Sequence, residues 1–200
     1  MRIYTTTLFA VLTLLLSATS WSADFDTGQQ AYDSGDYQTA LTEWQPLAES
    51  GHVGAQFGMG LLYANGFGVP MDNEQAFKWY RLAAEQGNAD AQCNLGVVFS
   101  NGWGVPQSDE KAFEWYSLAA EHGVTQAQTS LGRMYLHGYG VPESKLQAHK
   151  WFAIAAELGD NSATYKRDEL AKKLSASEIA ESGRLTSAWI ESHQILQASQ

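Results

Sequence analysis

A single cysteine, Cys93, stands in a chain of 200 residues. It excludes an intramolecular disulfide and any cysteine-rich metal site. Cations are scarce as well: 12 Lys and Arg face 22 Asp and Glu, for a formal charge of -10. Nucleic-acid binding needs clustered cations that displace counterions from phosphates, so that function class is excluded. No apolar run reaches the ~20 residues that cross a bilayer as a helix. Neither an H-E-x-x-H pair, a P-loop, a dinucleotide fingerprint nor a G-x-S-x-G elbow occurs. What is abundant is glycine, with 18 residues, and aromatics, with seven Trp, nine Tyr and eight Phe. Only four prolines accompany them, so the balance is that of a packed chain and not of a low-complexity tail.

Residues 1–22 read as a secretory signal peptide. Arg2 and the α-amino group supply the positive start, Leu8 to Leu16 the apolar stretch, and Ser17 to Ser22 the small polar end. Cleavage after Ser22, before Ala23, puts Ser20 and Ser22 at the -3 and -1 positions; cleavage after Ala23 would put the bulky Trp21 at -3. An uncleaved N-terminal anchor is the alternative. With cleavage, the chain is exported to the periplasm of a Gram-negative-like cell and keeps no stable membrane anchor.

Self-comparison finds a 36-residue period in three gapless blocks, 55–90, 91–126 and 127–162. The first half of each repeats Ala55/Ala91/Ala127, Gln56/Gln92/Gln128, Gly60/Gly96/Gly132 and Tyr63/Phe99/Tyr135, then the loop Gly66-x-Gly68-Val69-Pro70 and its copies. The second half repeats Ala76/Ala112/Ala148, Trp79/Trp115/Trp151 and Tyr80/Tyr116/Phe152, and ends on Ala-Ala-Glu before a glycine. Apolar residues at helical spacing on both sides of the loop predict a helix–turn–helix in each block. Glycine inside a helix costs about 1 kcal/mol relative to alanine. Three recurrences of Gly60, Gly96 and Gly132 therefore point to a close approach that leaves no room for a Cβ.

The expected fold is all-α, an α-solenoid of stacked hairpins. Residues 23–54 form a shorter first hairpin that turns at Asp33 to Asp36, and 163–200 a C-terminal helical cap. Ser175-x-x-Glu178 is a capping box that opens the last helix, and Ile179, Leu185 and Trp189 are expected to cover the end of the third repeat. In that repeat Leu146-Gln147-Ala148-His149 departs from the pattern, which is expected to loosen its second helix.

The pattern A-x-x-x-[LM]-G-x-x-[YF]-x-x-G-x-G-V-P, followed by K-A-x-x-W-Y-x-x-A-A-E-x-G, resembles the Sel1-like repeat, a relative of the tetratricopeptide repeat with a longer loop. The hairpin from Ala31 to Ser50 looks more like a plain tetratricopeptide unit. The resemblance implies a superhelical scaffold and leaves its partners open. A cysteine-rich subgroup of such proteins is associated with β-lactam binding and hydrolysis, but the equivalent slots here hold Phe57, Cys93 and Thr129.

No catalytic, metal or cofactor set emerges. His52, His122, His137, His149 and His193 are scattered; His149 takes the slot of Phe77 and Phe113, and His137 that of Asn65 and Asn101. Glu85, Glu121 and Glu157 recur one repeat apart and cannot pair across a substrate. Two candidate surfaces remain. One is the face of the first helices through Gly58, Leu61 and Asn65, with Asn94, Val97 and Asn101, and Ser130, Arg133 and His137 at the same slots. For the Asn65, Asn101 and His137 row, ending the helix explains the residues equally well. The other is a ladder of Phe67, Trp103 and Tyr139 between the loop glycines, exposed for a partner or folded back on its own hairpin. The expectation is a non-enzymatic exported scaffold for a protein partner, a basic one given the acidic surface. Such a role fits envelope assembly, signalling or toxin immunity. A peptidoglycan- or glycan-binding module is the alternative, and a β-lactam-hydrolysing protein a third reading.

Overall fold

A computed structural model describes the backbone of residues 23–198 and the side chains as far as His193. The signal peptide expected over residues 1–22, Ser22 included, lies outside the described residues; Ala23 directly precedes the first helix cap, Asp24. The described residues form ten α-helices and no strand. A first hairpin comprises α1 (Phe25–Ser34) and α2 (Tyr37–Glu49). Three longer-looped hairpins follow: α3 (Val53–Asn65) with α4 (Asn73–Glu85), α5 (Ala89–Asn101) with α6 (Asp109–Glu121), and α7 (Thr125–His137) with α8 (Lys145–Glu157). α9 (Asn161–Ala171) and α10 (Ala176–Ala198) close the chain. The first helices thus begin at 53, 89 and 125, two residues ahead of the blocks drawn from the sequence.

Every helix start but that of α7, which follows Val124, carries a side-chain acceptor for its unpaired amides. Asp72 accepts from the amides of Glu74 and Gln75, Ser108 from that of Lys111, and Ser144 from that of Gln147. The capping box forms as expected: the Ser175 amide donates to the Glu178 carboxylate at 2.8 Å, and the Glu178 amide to Ser175 Oγ at 3.3 Å.

Side-chain packing explains the repeated residues. A Cβ on Gly60, Gly96 or Gly132 would stand 2.4–2.5 Å from the ring of Tyr80, Tyr116 or Phe152, so each aromatic of a second helix lies flat against the first helix of its own repeat. The repeated glutamine is a staple. Gln56, Gln92 and Gln128 are buried and donate through Nε2 to the carbonyls of Ala48, Ala84 and Ala120, at the end of the preceding second helix. Loop geometry ties neighbours together as well. Gly104 and Gly140 adopt φ of 72° and 64°, and a Cβ there would lie within 2.6 Å of the backbone of Asn73 or Asp109. Each loop is therefore pressed onto the start of the second helix one repeat earlier.

The C-terminal end differs from expectation in two ways. α9 alone continues the stack against α8, whereas α10 folds back along α8. Ile179 is accordingly left on the surface while Trp189 is buried. The second difference is α8 itself, which is not loosened: His149, Trp151, Phe152, Ala153, Ile154 and Ala155 are all buried. The departure at His149 is an adaptation to α10, since its Nδ1 lies 2.8 Å from the buried Ser182 hydroxyl.

Candidate functional site

An open groove of about 790 Å³ lies between the second and third repeats. Val97 and Asn101 of α5 form one wall; Thr129, Ser130, Arg133 and Met134 of α7 form the other. Tyr116 lies at its base, with Ser100 and Ser130 beside its hydroxyl. Burial raises the Tyr116 pKa, so the phenol stays a neutral donor and acceptor. Asp109 and Asp160 lie at the rim, together with Tyr139 from the loop. Thr129 Oγ1 donates to Asp160 at 2.6 Å, and this bond lowers the carboxyl pKa and keeps it ionised.

The two surfaces read separately from the sequence thus meet: Val97, Arg133 and Tyr139 line the same groove. Asp109 and Asp160, which no sequence pattern marks for binding, join them, as does Thr129 from the slot of Phe57 and Cys93. Asp160 was readable only as the cap of α9, which it is, accepting from the amides of Ser162 and Ala163.

Several candidates have a packing role instead. The slot of Gly58, Asn94 and Ser130 follows the ring it faces. A Cβ at Gly58 would strike Trp44 at 2.5 Å, while Asn94 and Ser130 lie beside the hydroxyls of Tyr80 and Tyr116. Variation along that row is therefore dictated by the core. Asn65 and Asn101 donate from Nδ2 to the carbonyls of Leu61 and Val97, binding the last helical turn, whereas His137 lies 5.3 Å from the ring of Tyr139. The aromatic ladder has two exposed members, not three. Trp103 and Tyr139 are each 49% exposed, but Phe67 is stacked on Tyr37 at 4.3 Å and 6°.

The reactive groups are subdued. Burial pushes the Cys93 thiol up to about 12, which leaves no thiolate near neutral pH. Burial and the nearby Arg167 lower the His149 pKa and hold it neutral. Among the described residues no cluster of three or more His, Cys, Asp or Glu could hold a metal, and no helix is long and apolar enough to cross a membrane.

The chain resembles a solved Sel1 repeat protein from Oxalobacter formigenes, with a TM-score of 0.69 and 35% identity over 72% of this chain and 59% of that one. A protective antigen of uropathogenic Escherichia coli with an SLR fold matches with a TM-score of 0.52 and 29% identity, over 84% of this chain and 44% of that one. A shorter match, 38% identical over 56 residues, is to an exopolysaccharide production negative regulator of Rhizobium leguminosarum bv. viciae; it covers 28% of this chain and 21% of that protein. The chain therefore spans less than two thirds of each of these relatives. A family model described as Sel1 repeat matches residues 53–88, 89–124 and 125–160, the same three units that the glutamine staples join. With more than half of its length in these consecutive matches, the chain belongs to the Sel1 repeat family, whose members generally mediate protein–protein interaction.

Proposed function

We propose that this protein is an exported, non-enzymatic scaffold that holds a protein partner in the periplasm. An extended segment of the partner would lie in the groove between the second and third repeats. The observation that carries this reading is the convergence of Arg133, Tyr139 and the hydroxyls around Tyr116 on one open groove. Such a lining offers donors and acceptors to a peptide backbone, a ring to an apolar side chain and one cation to a carboxylate. The acidic excess elsewhere steers a partner that is basic overall and makes association fall with salt. Export rests on the character of residues 1–22.

The test is a comparative pull-down from a periplasmic extract with the chain from Ala23, against the same chain carrying Arg133→Glu and Tyr139→Ser. A single protein held by the first and lost by the second, and released as salt rises, supports the reading. Half-exposed rings beside hydroxyl and amide groups also suit a sugar, so a cell-wall glycan is the second reading. Recovery of sacculus fragments in place of a protein would favour it.

A further inference from the structure

The last helix shows how the outer face of the array receives a helix. α10 lies along α8 with Ser182, Thr186 and Trp189 buried, spaced four and three residues apart. Its receptor has three parts. Trp151 of α8 meets Trp189 edge-on at 6.2 Å, Ile154 of α8 is fully buried in the same cluster, and Glu121 of α6 accepts from the Trp189 indole N–H at 3.2 Å. His193, one turn further on and stacked on Trp189 at 3.7 Å, places Nε2 3.3 Å from the same carboxylate.

The 36-residue period builds this receptor again one repeat earlier. Trp115 and Leu118 of α6 take the slots of Trp151 and Ile154, and Glu85 of α4 takes that of Glu121. Among the described residues no helix lies over it: Leu118 is 49% exposed where Ile154 is 0%, and Glu85 is exposed, with Arg81 3.7 Å away as its ion-pair partner. The slot of Ala153, over which α10 passes, holds the small Ser117 here. In the first repeat the same slot holds Arg81, which lies over Phe77 at 5.7 Å and so occupies the face. Among the described residues, the outer face of the middle repeat is thus the copy that is both formed and uncovered.

We infer that the outer face of α6, with Glu85, is a docking site for an amphipathic helix of a partner protein that imitates α10. The cis interface fixes the chemistry of that helix. A tryptophan would sit on Trp115 and donate to Glu85, with a basic residue four positions later against the same carboxylate. Seven positions before the tryptophan an apolar residue would replace Ser182, because Phe113 stands here where His149 pairs with the hydroxyl. Trp115, Leu118 and Glu85 do not line the groove, to which α6 turns Asp109 and Tyr116 instead, so the inference stands or falls separately from the proposed function.

The probe is a fluorescein-labelled synthetic peptide of residues 176–198 carrying Ser182→Leu and His193→Arg, titrated by anisotropy into the folded full chain. Saturable binding at one site is expected. Leu118→Asp, a change at an exposed position that circular dichroism should show still folded, is expected to weaken it at least about tenfold, the equivalent of ~1.4 kcal/mol. Ser117→Arg, which installs the arginine of the first repeat, should block it as well, while Arg133→Glu in the groove should leave it unaltered. Absence of saturable binding overturns the inference. So does binding that Leu118→Asp leaves intact, as when the peptide merely exchanges with the chain's own α10 or links two copies through it.

Discussion

The first and third repeats carry the same motif in different surroundings. In the first, the loop ring Phe67 finds Tyr37 at the start of α2 and stacks on it. In the third, Tyr139 finds Asp109 at the equivalent place and remains half in solvent. On the second helices the contrast runs the other way. Arg81 keeps the outer face of the first repeat in water, whereas Ala153 lets α10 close over the third. A repeat position therefore has no fixed role; its neighbour one repeat away decides whether it is core or surface.

The harshest way to break this comparison is to give the third repeat the arginine of the first. Ala153→Arg would force a guanidinium beneath α10, and about 3 kcal/mol of stability should be lost in urea unfolding, from overpacking and an unpaired charge. Truncating the two loop rings comes next. Phe67→Ala should cost about 2 kcal/mol, below the range of a fully buried phenylalanine, and Tyr139→Ala less than about 0.5 kcal/mol. Equal losses would mean that both rings are core.

A smaller effect separates His149 from Phe77 and Phe113. Its pKa is lowered below the ordinary 6.5 by burial and by Arg167, with Asp168 acting in the opposite sense. The unfolded chain takes up this proton at a higher pH than the folded one, so stability falls as pH drops below about 6.5. His149→Phe should flatten that part of a stability-versus-pH curve, and an unchanged slope would assign it to other groups. The mildest change, Asn73→Tyr, offers Trp103 the partner that Phe67 has. It should shift the tryptophan emission to the blue and stabilise by roughly 0.5 kcal/mol, in line with a stacked aromatic pair.

Repetition made the array legible in advance. Gly60 and its copies announced the close approach, and Asn65-Gly66 the helix end, because both depend on contacts inside one repeat. Positions that depend on the next repeat were harder. Gly58, Asn94 and Ser130 vary as recognition residues would, yet each answers a different ring, Trp44, Tyr80 or Tyr116. The staple role of Gln56 was equally hidden, since its acceptor is a backbone carbonyl and leaves no mark on residue type. The path of α10 lay beyond periodicity altogether: no fourth block exists to indicate where a helix after α9 should go. Only the His149 substitution hinted that something polar would approach there.

The staples also bear on how such a chain can change its length. Gln128 donates to Ala120, and Ala84 is the same residue one period earlier, with the same helix end and glycine turn after it. Excising residues 89–124 would deliver Gln128 to the carbonyl of Ala84, with the same Glu next to it and the same glycine three residues on. A gene for this array can therefore shrink or grow by whole units through unequal recombination, and each product would inherit finished joints at both ends.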